Sequence, residues 1–247
     1  VLAADIDHDA LNLVKSHFRP VYTRNKSVED LIRYEIDLSQ NSCKYISYPE
    51  IIDHQIKTLR GRVDLLVGGP PCQGHSNLNN KTRRYDPRNL LYLNMPSFAI
   101  ALDIPNIIIE NVQTISKAKE NVVEITRNLL SAHGYFVEEH VLKASDFGVA
   151  QSRTRHFLTA SKNKYVRTAS LIRAFSGEEI SFNTACTNMP KLDKKLTCIE
   201  QTSELSQENL DRINYLHDNN EDDLPNFVRP DCHKNGTTYR AVYGRII

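Results

Sequence analysis

The stretch Gly68-Gly69-Pro70-Pro71-Cys72-Gln73-Gly74 constrains the fold more than any other part of this sequence. It follows the apolar run Val63-Asp64-Leu65-Leu66-Val67, which is typical of a buried strand. The two prolines fix the backbone just before Cys72 and remove two N–H donors. Free cysteines usually fill space in a core, but ligands of open α/β sheets bind beyond the carboxyl ends of strands. The sequence therefore predicts that Cys72 is presented at a strand end for nucleophilic attack.

A second predicted strand, Asn106-Ile107-Ile108-Ile109, ends in Glu110 and can deliver a carboxylate to the same sheet edge. Cys72 and Glu110 are 38 residues apart (110 − 72 = 38). That spacing is enough for one crossover helix between adjacent parallel strands. Arg153 and Arg155 alternate, so on an extended segment they share a face, where a guanidinium can contact a carboxylate.

Strands alternate with helices over the first two thirds of the chain, which predicts an α/β sheet. The expected strands are residues 1–5, 63–67, 106–109, 136–142 and 156–160, and the expected helices include residues 10–18 and 122–130, the latter capped by Gly134. Pro49 predicts the first turn of a helix whose apolar face is Ile52, Ile56 and Leu59. Ser27-Val28-Glu29-Asp30 is typical of a capping box that opens a short helix.

The alternation fades after Ser161, which indicates a second, less regular domain. We therefore expect one domain over residues 1–161 and another over residues 162–247.

Composition sets only broad limits. Of 247 residues, 40% are hydrophobic and 25% charged, as in ordinary globular proteins, and no apolar run approaches membrane-spanning length. The net charge of +1 neither demands nor excludes a nucleic-acid partner. Five cysteines without a CxxC pair indicate reduced thiols in a cytosolic compartment. Cys232 and His233 have no second ligand pair at zinc spacing, so no metal site is predicted.

Three short motifs follow one another along the chain: Pro70-Pro71-Cys72-Gln73-Gly74, Glu110-Asn111-Val112 and Gln151-Ser152-Arg153-Thr154-Arg155. Together they resemble the DNA (cytosine-5) methyltransferase family, in particular the enzymes of bacterial restriction–modification systems. The resemblance is clearest over residues 1–161 and returns in residues 239–245. It implies a Rossmann-like, S-adenosylmethionine-dependent methyltransferase sheet followed by part of an irregular target-recognition domain.

The family's Gly-rich loop is expected just before Val1, and its last motifs are expected beyond Ile247. We therefore predict that these 247 residues are inactive alone and that the full-length parent is active.

The resemblance also implies roles for individual residues. Cys72 adds to carbon 6 of cytosine, which makes carbon 5 electron-rich. Glu110 acts at N3 in its protonated form or by sharing a proton, Arg155 contacts the base, and Arg153 supports it. The residues expected to bind S-adenosylmethionine are Asp5, Ile6, Asp37, Leu38, Pro71 and Asn111.

The resemblance makes double-stranded DNA the expected partner, with the target base rotated out of the stack. The basic loop of residues 74–88 is expected to close over that base, and its cations to meet phosphates. The residues expected to contact DNA are Gln73, Ser76, Arg83, Arg84, Arg88, Tyr239, Arg240 and Arg245. The family further implies a monomer in the bacterial cytoplasm, associated with the nucleoid, with a cognate restriction endonuclease as a functional partner.

Three other interpretations compete with this one. The first is a methyltransferase of the same fold that acts on cytosine in transfer RNA, and the second is a non-catalytic DNA-binding relic. The third is a thiol hydrolase or redox enzyme built on Cys72, although no resolving cysteine lies near it. Comparing methyl transfer to duplex DNA with methyl transfer to transfer RNA distinguishes the DNA methyltransferase from the transfer RNA enzyme. A trapped covalent adduct with 5-fluorocytosine DNA distinguishes it from the other two.

Overall fold

The computed structural model of the protein describes residues 2–37, 43–71, 87–117, 120–187, 205–221 and 224–229, without the side chains of residues 87 and 88. The strands within these ranges are β1 (Leu2–Ala4), β2 (Tyr22–Arg24), β3 (Ile32–Asp37), β4 (Lys44–Ile51), β5 (Leu65–Gly68), β6 (Asn106–Val112), β7 (Phe136–Lys143) and β8 (Thr154–Ser161). The α-helices are α1 (His8–Phe18), α2 (His54–Lys57), α3 (Asn94–Leu102), α4 (Val122–Ala132), α5 (Thr168–Phe175), α6 (Phe182–Cys186) and α7 (Gln207–Asn219). Short 3₁₀ helices occupy Val28–Asp30, Pro87–Leu93, Gln113–Lys117 and Ala144–Phe147.

The largest sheet among the described residues has four strands in the order β5-β6-β8-β7. Strands β5 and β6 run parallel, and β8 pairs antiparallel with both β6 and β7. Two smaller sheets pair β1 with β2 in parallel and β3 with β4 antiparallel. This mixed sheet with intervening helices confirms the predicted α/β class.

Strand β6 divides its residues between the two faces of the sheet. Ile107 and Ile109 point into the core, where they join Leu158 of β8 and the apolar face of α4. The alternate residues Ile108 and Glu110 lie on the opposite, half-buried face. Because side chains alternate along a strand, the carboxylate of Glu110 is directed away from the core.

Most of the predicted elements are confirmed. Helix α4 ends where expected, since Gly134 follows its last turn with φ of 83°, a left-handed conformation that glycine adopts without strain. The strands predicted near residues 65, 136 and 156 correspond to β5, β7 and β8.

The helix predicted at Pro49 is wrong. Pro49 lies in β4, at a break in the β3–β4 register between Glu50 and Ser47 where a ladder donor is not required. Helix α2 begins later because the carboxylate of Asp53 accepts hydrogen bonds from the backbone of the first turn. Ile52 and Leu59 therefore fall outside the helix.

The predicted capping box at Ser27 is also wrong in its detail. Val28–Asp30 forms a single 3₁₀ turn, and the Ser27 side chain makes no capping hydrogen bond. The chain then enters β3 directly, so the segment is too short to need a cap.

The chain divides into two compact units, residues 1–188 and 189–247. In the second unit, α7 is held to the segment after it by the Arg212 guanidinium, which donates to the Val228 carbonyl at 3.2 Å, and by an edge-to-face contact of Tyr215 with Phe227. The assignment of residues 162–247 to target recognition concerns function and stays a prediction.

In the ranges given above, no helix is both long enough and apolar enough to cross a bilayer.

A partly buried ion pair fixes the start of α2 against β2. Arg24 Nε and Nη2 donate to the two oxygens of Asp53, at 2.6 and 3.0 Å, while Asp53 also caps the helix. The hydrogen bond from Arg24 holds the pKa of the Asp53 carboxyl well below its usual value.

We expect Asp53→Ala to lower the free energy of unfolding by about 1–3 kcal/mol at pH 7, because it removes both a cap and a charged hydrogen-bond partner. A carboxyl with a depressed pKa stabilises the fold above the unfolded-state pKa and loses that effect as pH falls through the folded-state pKa. The difference from wild type should therefore narrow below about pH 4 in urea titrations. The control is Glu50→Ala, which breaks the exposed pair with Lys57. A loss for Asp53→Ala no larger than the loss for this control would contradict the prediction.

Candidate active site

The turn after β5 begins at the sheet edge and is held against β6. The parallel register pairs Val67 with Ile108 and Gly68 with Ile109, so Gly69 and Pro70 continue alongside Glu110 and Asn111. The described part of this turn ends at Pro71. The predicted meeting of the two motifs at one sheet edge therefore follows from the pairing of two strands.

Asn111 joins the two motifs directly. Its side chain is 2% exposed, and Nδ2 donates to the Pro70 carbonyl at 3.1 Å. Its Oδ1 accepts a hydrogen bond from the Val112 backbone at 2.8 Å. A buried carboxamide that is satisfied on both ends holds the proline turn in one place relative to β6.

Glu110 is held by one of its two oxygens. Oε1 forms an ion pair with Arg155 Nε at 2.9 Å, and the Glu110 side chain is 41% exposed. A Cβ built on Gly69 would lie 3.5 Å from Oε2, so this oxygen faces the glycine of the turn. The carboxylate is therefore oriented by a guanidinium and still accessible from solvent.

The two arginines of the third motif have different surroundings. Arg155 lies in β8, and the register that pairs it with Val112 places it diagonally across from Glu110. Arg153 precedes the strand and is exposed. Its backbone carbonyl accepts a hydrogen bond from Ala144 N at 2.8 Å. The structure thus brings Arg155 to the carboxylate, and Arg153 makes no ion pair within the described residues.

At another strand end, Asp5 and Ile6 follow β1. One carboxylate oxygen of Asp5 accepts a hydrogen bond from Asp7 N at 2.8 Å, and Ile6 is 74% exposed. Asp37 ends β3, which belongs to a different two-stranded sheet from β1.

The profile described as C-5 cytosine-specific DNA methylase matches residues 17–246. The chain belongs to the C-5 cytosine-specific DNA methylase family. This confirms the resemblance drawn from the three motifs.

Curated relatives of this methylase chain include two bacterial proteins. The Type II methyltransferase M1.BsuMI of Bacillus subtilis (strain 168) is 34% identical over 246 residues, which cover 99% of this chain and 55% of the relative. The Type II methyltransferase M.DdeI of Desulfomicrobium norvegicum is 31% identical over 139 residues, which cover 53% of this chain and 33% of the relative. The chain thus spans about half the length of the first relative and a third of the second.

A solved structure supports the fold. The crystal structure of a candidate DNA modification methyltransferase encoded within an E. coli prophage aligns with a TM-score of 0.53 at 23% identity, over 77% of this chain and 49% of that one. At this identity the likeness concerns the fold alone, and it agrees with the predicted methyltransferase sheet.

The residues at β1 fit part of the cofactor expected of a C-5 methylase. Asp5 Oδ2 accepts no hydrogen bond from the described part of the chain and can take a ribose hydroxyl. The exposed Ile6 offers an apolar surface of the kind that packs on a flat purine. Both groups therefore suit the nucleoside portion of S-adenosylmethionine.

Several predicted site residues lie outside the described residues. They are Leu38, Cys72, Gln73, Ser76, Arg83, Arg84, Tyr239, Arg240 and Arg245. The backbone of Arg88 lies in the 3₁₀ helix Pro87–Leu93, and its side chain is not described. In the described ranges, no cluster of three or more His, Cys, Asp or Glu side chains is arranged to hold a metal ion.

Sequence reasoning missed the buried His156 beside the site. It pairs with Asn111 across β6 and β8, is 1% exposed, and contacts Glu139 Oε2 through Nε2 at 3.0 Å. Burial alone would raise the pKa of Glu139, but the His156 hydrogen bond and the charge of Arg127 bring it below its usual value. The alternation with Arg155 was the available signal, because it assigns His156 to the core face.

Replacing Asn111 tests the tie between the two motifs. We expect Asn111→Ala to lower the free energy of unfolding by about 1–3 kcal/mol, because it leaves the Pro70 carbonyl and the Val112 N–H without their partner. Urea titration measures the change, and Asn12→Ala on the exposed α1 is the control. Equal, negligible effects of the two substitutions would show that the Asn111 side chain does not hold the turn.

Proposed function

We propose that the protein transfers a methyl group from S-adenosylmethionine to carbon 5 of cytosine in a specific duplex DNA sequence. Membership of the C-5 cytosine-specific DNA methylase family supports the reaction class. The observation that carries the proposal is the Glu110 carboxylate, which Arg155 orients at the edge where the Pro-Pro-Cys turn begins.

Cys72 is the proposed nucleophile. Its thiolate forms a bond to carbon 6 of cytosine, and the ring electrons then make carbon 5 reactive towards an electrophile. S-adenosylmethionine supplies an electrophilic methyl group when it is bound. Once carbon 5 carries that methyl group, its proton passes to water and the thiolate is expelled, which restores the aromatic ring and frees Cys72.

Glu110 is proposed to stabilise the charge that this addition places on the base. The unlike surroundings of its two oxygens support the role, because Oε1 is engaged by Arg155 while Oε2 faces Gly69. Oε2 is then free to share a proton with N3, while Arg155 is proposed to hold the carboxylate and to contact the base. A group that is oriented before the substrate arrives needs no reorganisation during the reaction.

Asn111 is proposed to position the turn that precedes Cys72. Its hydrogen bond to Pro70 holds the start of the segment that leads to Cys72 against β6, next to Glu110. Pro71 and Asn111 would also border the bound cofactor, as the family resemblance implies. Asp5 and Ile6 would hold its ribose and adenine.

The DNA contacts remain part of the proposal. A stacked base is inaccessible to Cys72, so the target cytosine is rotated out at a cost of a few kcal/mol. Residues 74–88, with Arg83, Arg84 and Arg88, supply positive charge for the phosphates. We assign sequence recognition to residues 162–247, where Arg240 and Arg245 are the guanidinium groups suited to base edges.

A covalent trap tests the proposal. With DNA that carries 5-fluorocytosine in its recognition site, the full-length gene product should form a denaturation-resistant adduct only when S-adenosylmethionine is present. Cys72→Ser should abolish this adduct, because the attacking sulfur is lost. Glu110→Gln should slow it by about 10²- to 10⁴-fold, the usual contribution of a proton donor.

Cys186→Ser is the matched control, since Cys186 is a free thiol in α6 and belongs to none of the three motifs. Adduct formation by Cys72→Ser would remove Cys72 from the mechanism. Methyl transfer to transfer RNA and not to duplex DNA would favour the transfer RNA enzyme, and no transfer to either would favour a non-catalytic DNA-binding protein.

A further inference from the structure

Asn25 fastens the turn that follows β1. It comes directly after β2, and its Nδ2 donates to two consecutive backbone carbonyls, of Asp5 at 3.1 Å and of Ile6 at 2.9 Å. One carboxamide thus spans from the end of one parallel strand to the end of its neighbour.

These hydrogen bonds continue the sheet beyond its last backbone pair. The β1–β2 register ends with Ala4 opposite Arg24, and Asp5 N still donates to the Arg24 carbonyl at 3.1 Å. Beyond that point the chain leaves the sheet for α1. Backbone carbonyls at such an exit need other donors, and the side chain of Asn25 provides them.

Hydrogen bonds also restrain the turn on the side that leads into α1. Asp7 N donates to Asp5 Oδ1 at 2.8 Å, which fixes the rotamer of the Asp5 carboxylate. The Asp7 side chain in turn accepts from Asp9 N and Ala10 N, and so caps α1. The turn is therefore anchored to β2 on one side and to a helix on the other.

The fastened turn nevertheless presents an exposed apolar side chain. Ile6 is 74% exposed and stands beside a carboxylate whose Oδ2 accepts no hydrogen bond from the described residues. Holding an apolar surface and an acceptor in a fixed relation gains little for folding. It does suit a ligand that combines a flat ring with hydroxyl groups, because preorganised groups lose less entropy on binding.

We propose that Asn25 is a positioning residue for the methyl donor, which holds the Asp5–Ile6 turn in the conformation that binds the nucleoside. The inference rests on the proposed function, since it takes S-adenosylmethionine as the ligand of Asp5 and Ile6. Asn25 acts through the backbone of the turn and takes no part in methyl transfer. Its removal should therefore weaken cofactor binding and leave the chemical step unchanged.

Two substitutions separate the contribution of the donor from that of side-chain size. Asn25→Ala removes the carboxamide, and Asn25→Asp keeps the shape but directs a carboxylate at two carbonyl oxygens. Calorimetry with S-adenosylmethionine, without DNA, should show a dissociation constant raised about tenfold for the alanine variant, or about 1.4 kcal/mol, and more for the aspartate variant. The KM for the cofactor should rise in parallel, with kcat at saturation within about twofold of wild type.

The control is Asn12→Ala, which removes an exposed amide whose side-chain hydrogen bonds within the described residues go to His8 alone. Wild-type affinity in both Asn25 variants would overturn the inference. A loss of affinity no larger than the fraction of unfolded variant found by urea titration would also overturn it, because Asn25 would then serve the fold and not the ligand. Failure of the wild-type, full-length gene product to bind S-adenosylmethionine would instead count against the proposed function.

Discussion

The parallel pairing of β5 with β6 is the constraint on which the site depends. It sets the proline turn beside Glu110 and Asn111, and residues distant in sequence then form one short edge. A slip of one residue would turn Glu110 into the core and Ile109 out of it, at the cost of a buried charge. The core that buries Ile107 and Ile109 therefore also fixes where the carboxylate points.

The site combines buried side chains that hold the strands with solvent-exposed charged groups. Buried Asn111 and His156 lie on the core face, whereas Glu110 and Arg155 occupy the opposite face with 41% and 23% of their side chains exposed. Hydrogen bonds on the buried side cannot be exchanged for water, so they hold the strands in position. The exposed side is the one on which we propose that the base binds. The same design recurs at β1, where Asn25 and the cap of α1 restrain a turn whose Asp5 and Ile6 face solvent.

The sequence predicted the parts that depend on local signals. Apolar runs followed by glycine and proline indicate β5 and its turn, and the order of three motifs indicates the family. Long-range pairing was harder to foresee. Strand β4 contains Pro49 and exposed apolar residues, and only its bulged pairing with β3 makes it a strand. Glu110 was expected at a strand end, but β6 continues to Val112 because its last residues pair with β8. Asn25 carries no motif, and its role emerges only from the proximity of two strand ends.

The most direct test of this account is a crystal structure of the full-length gene product trapped on 5-fluorocytosine DNA. The account predicts a bond from Cys72 Sγ to carbon 6 of the rotated base. It also predicts Glu110 Oε2 within about 3 Å of N3, with Arg155 still bound to Oε1. A sulfur bonded elsewhere, or a Glu110 carboxylate turned away from the base, would contradict it.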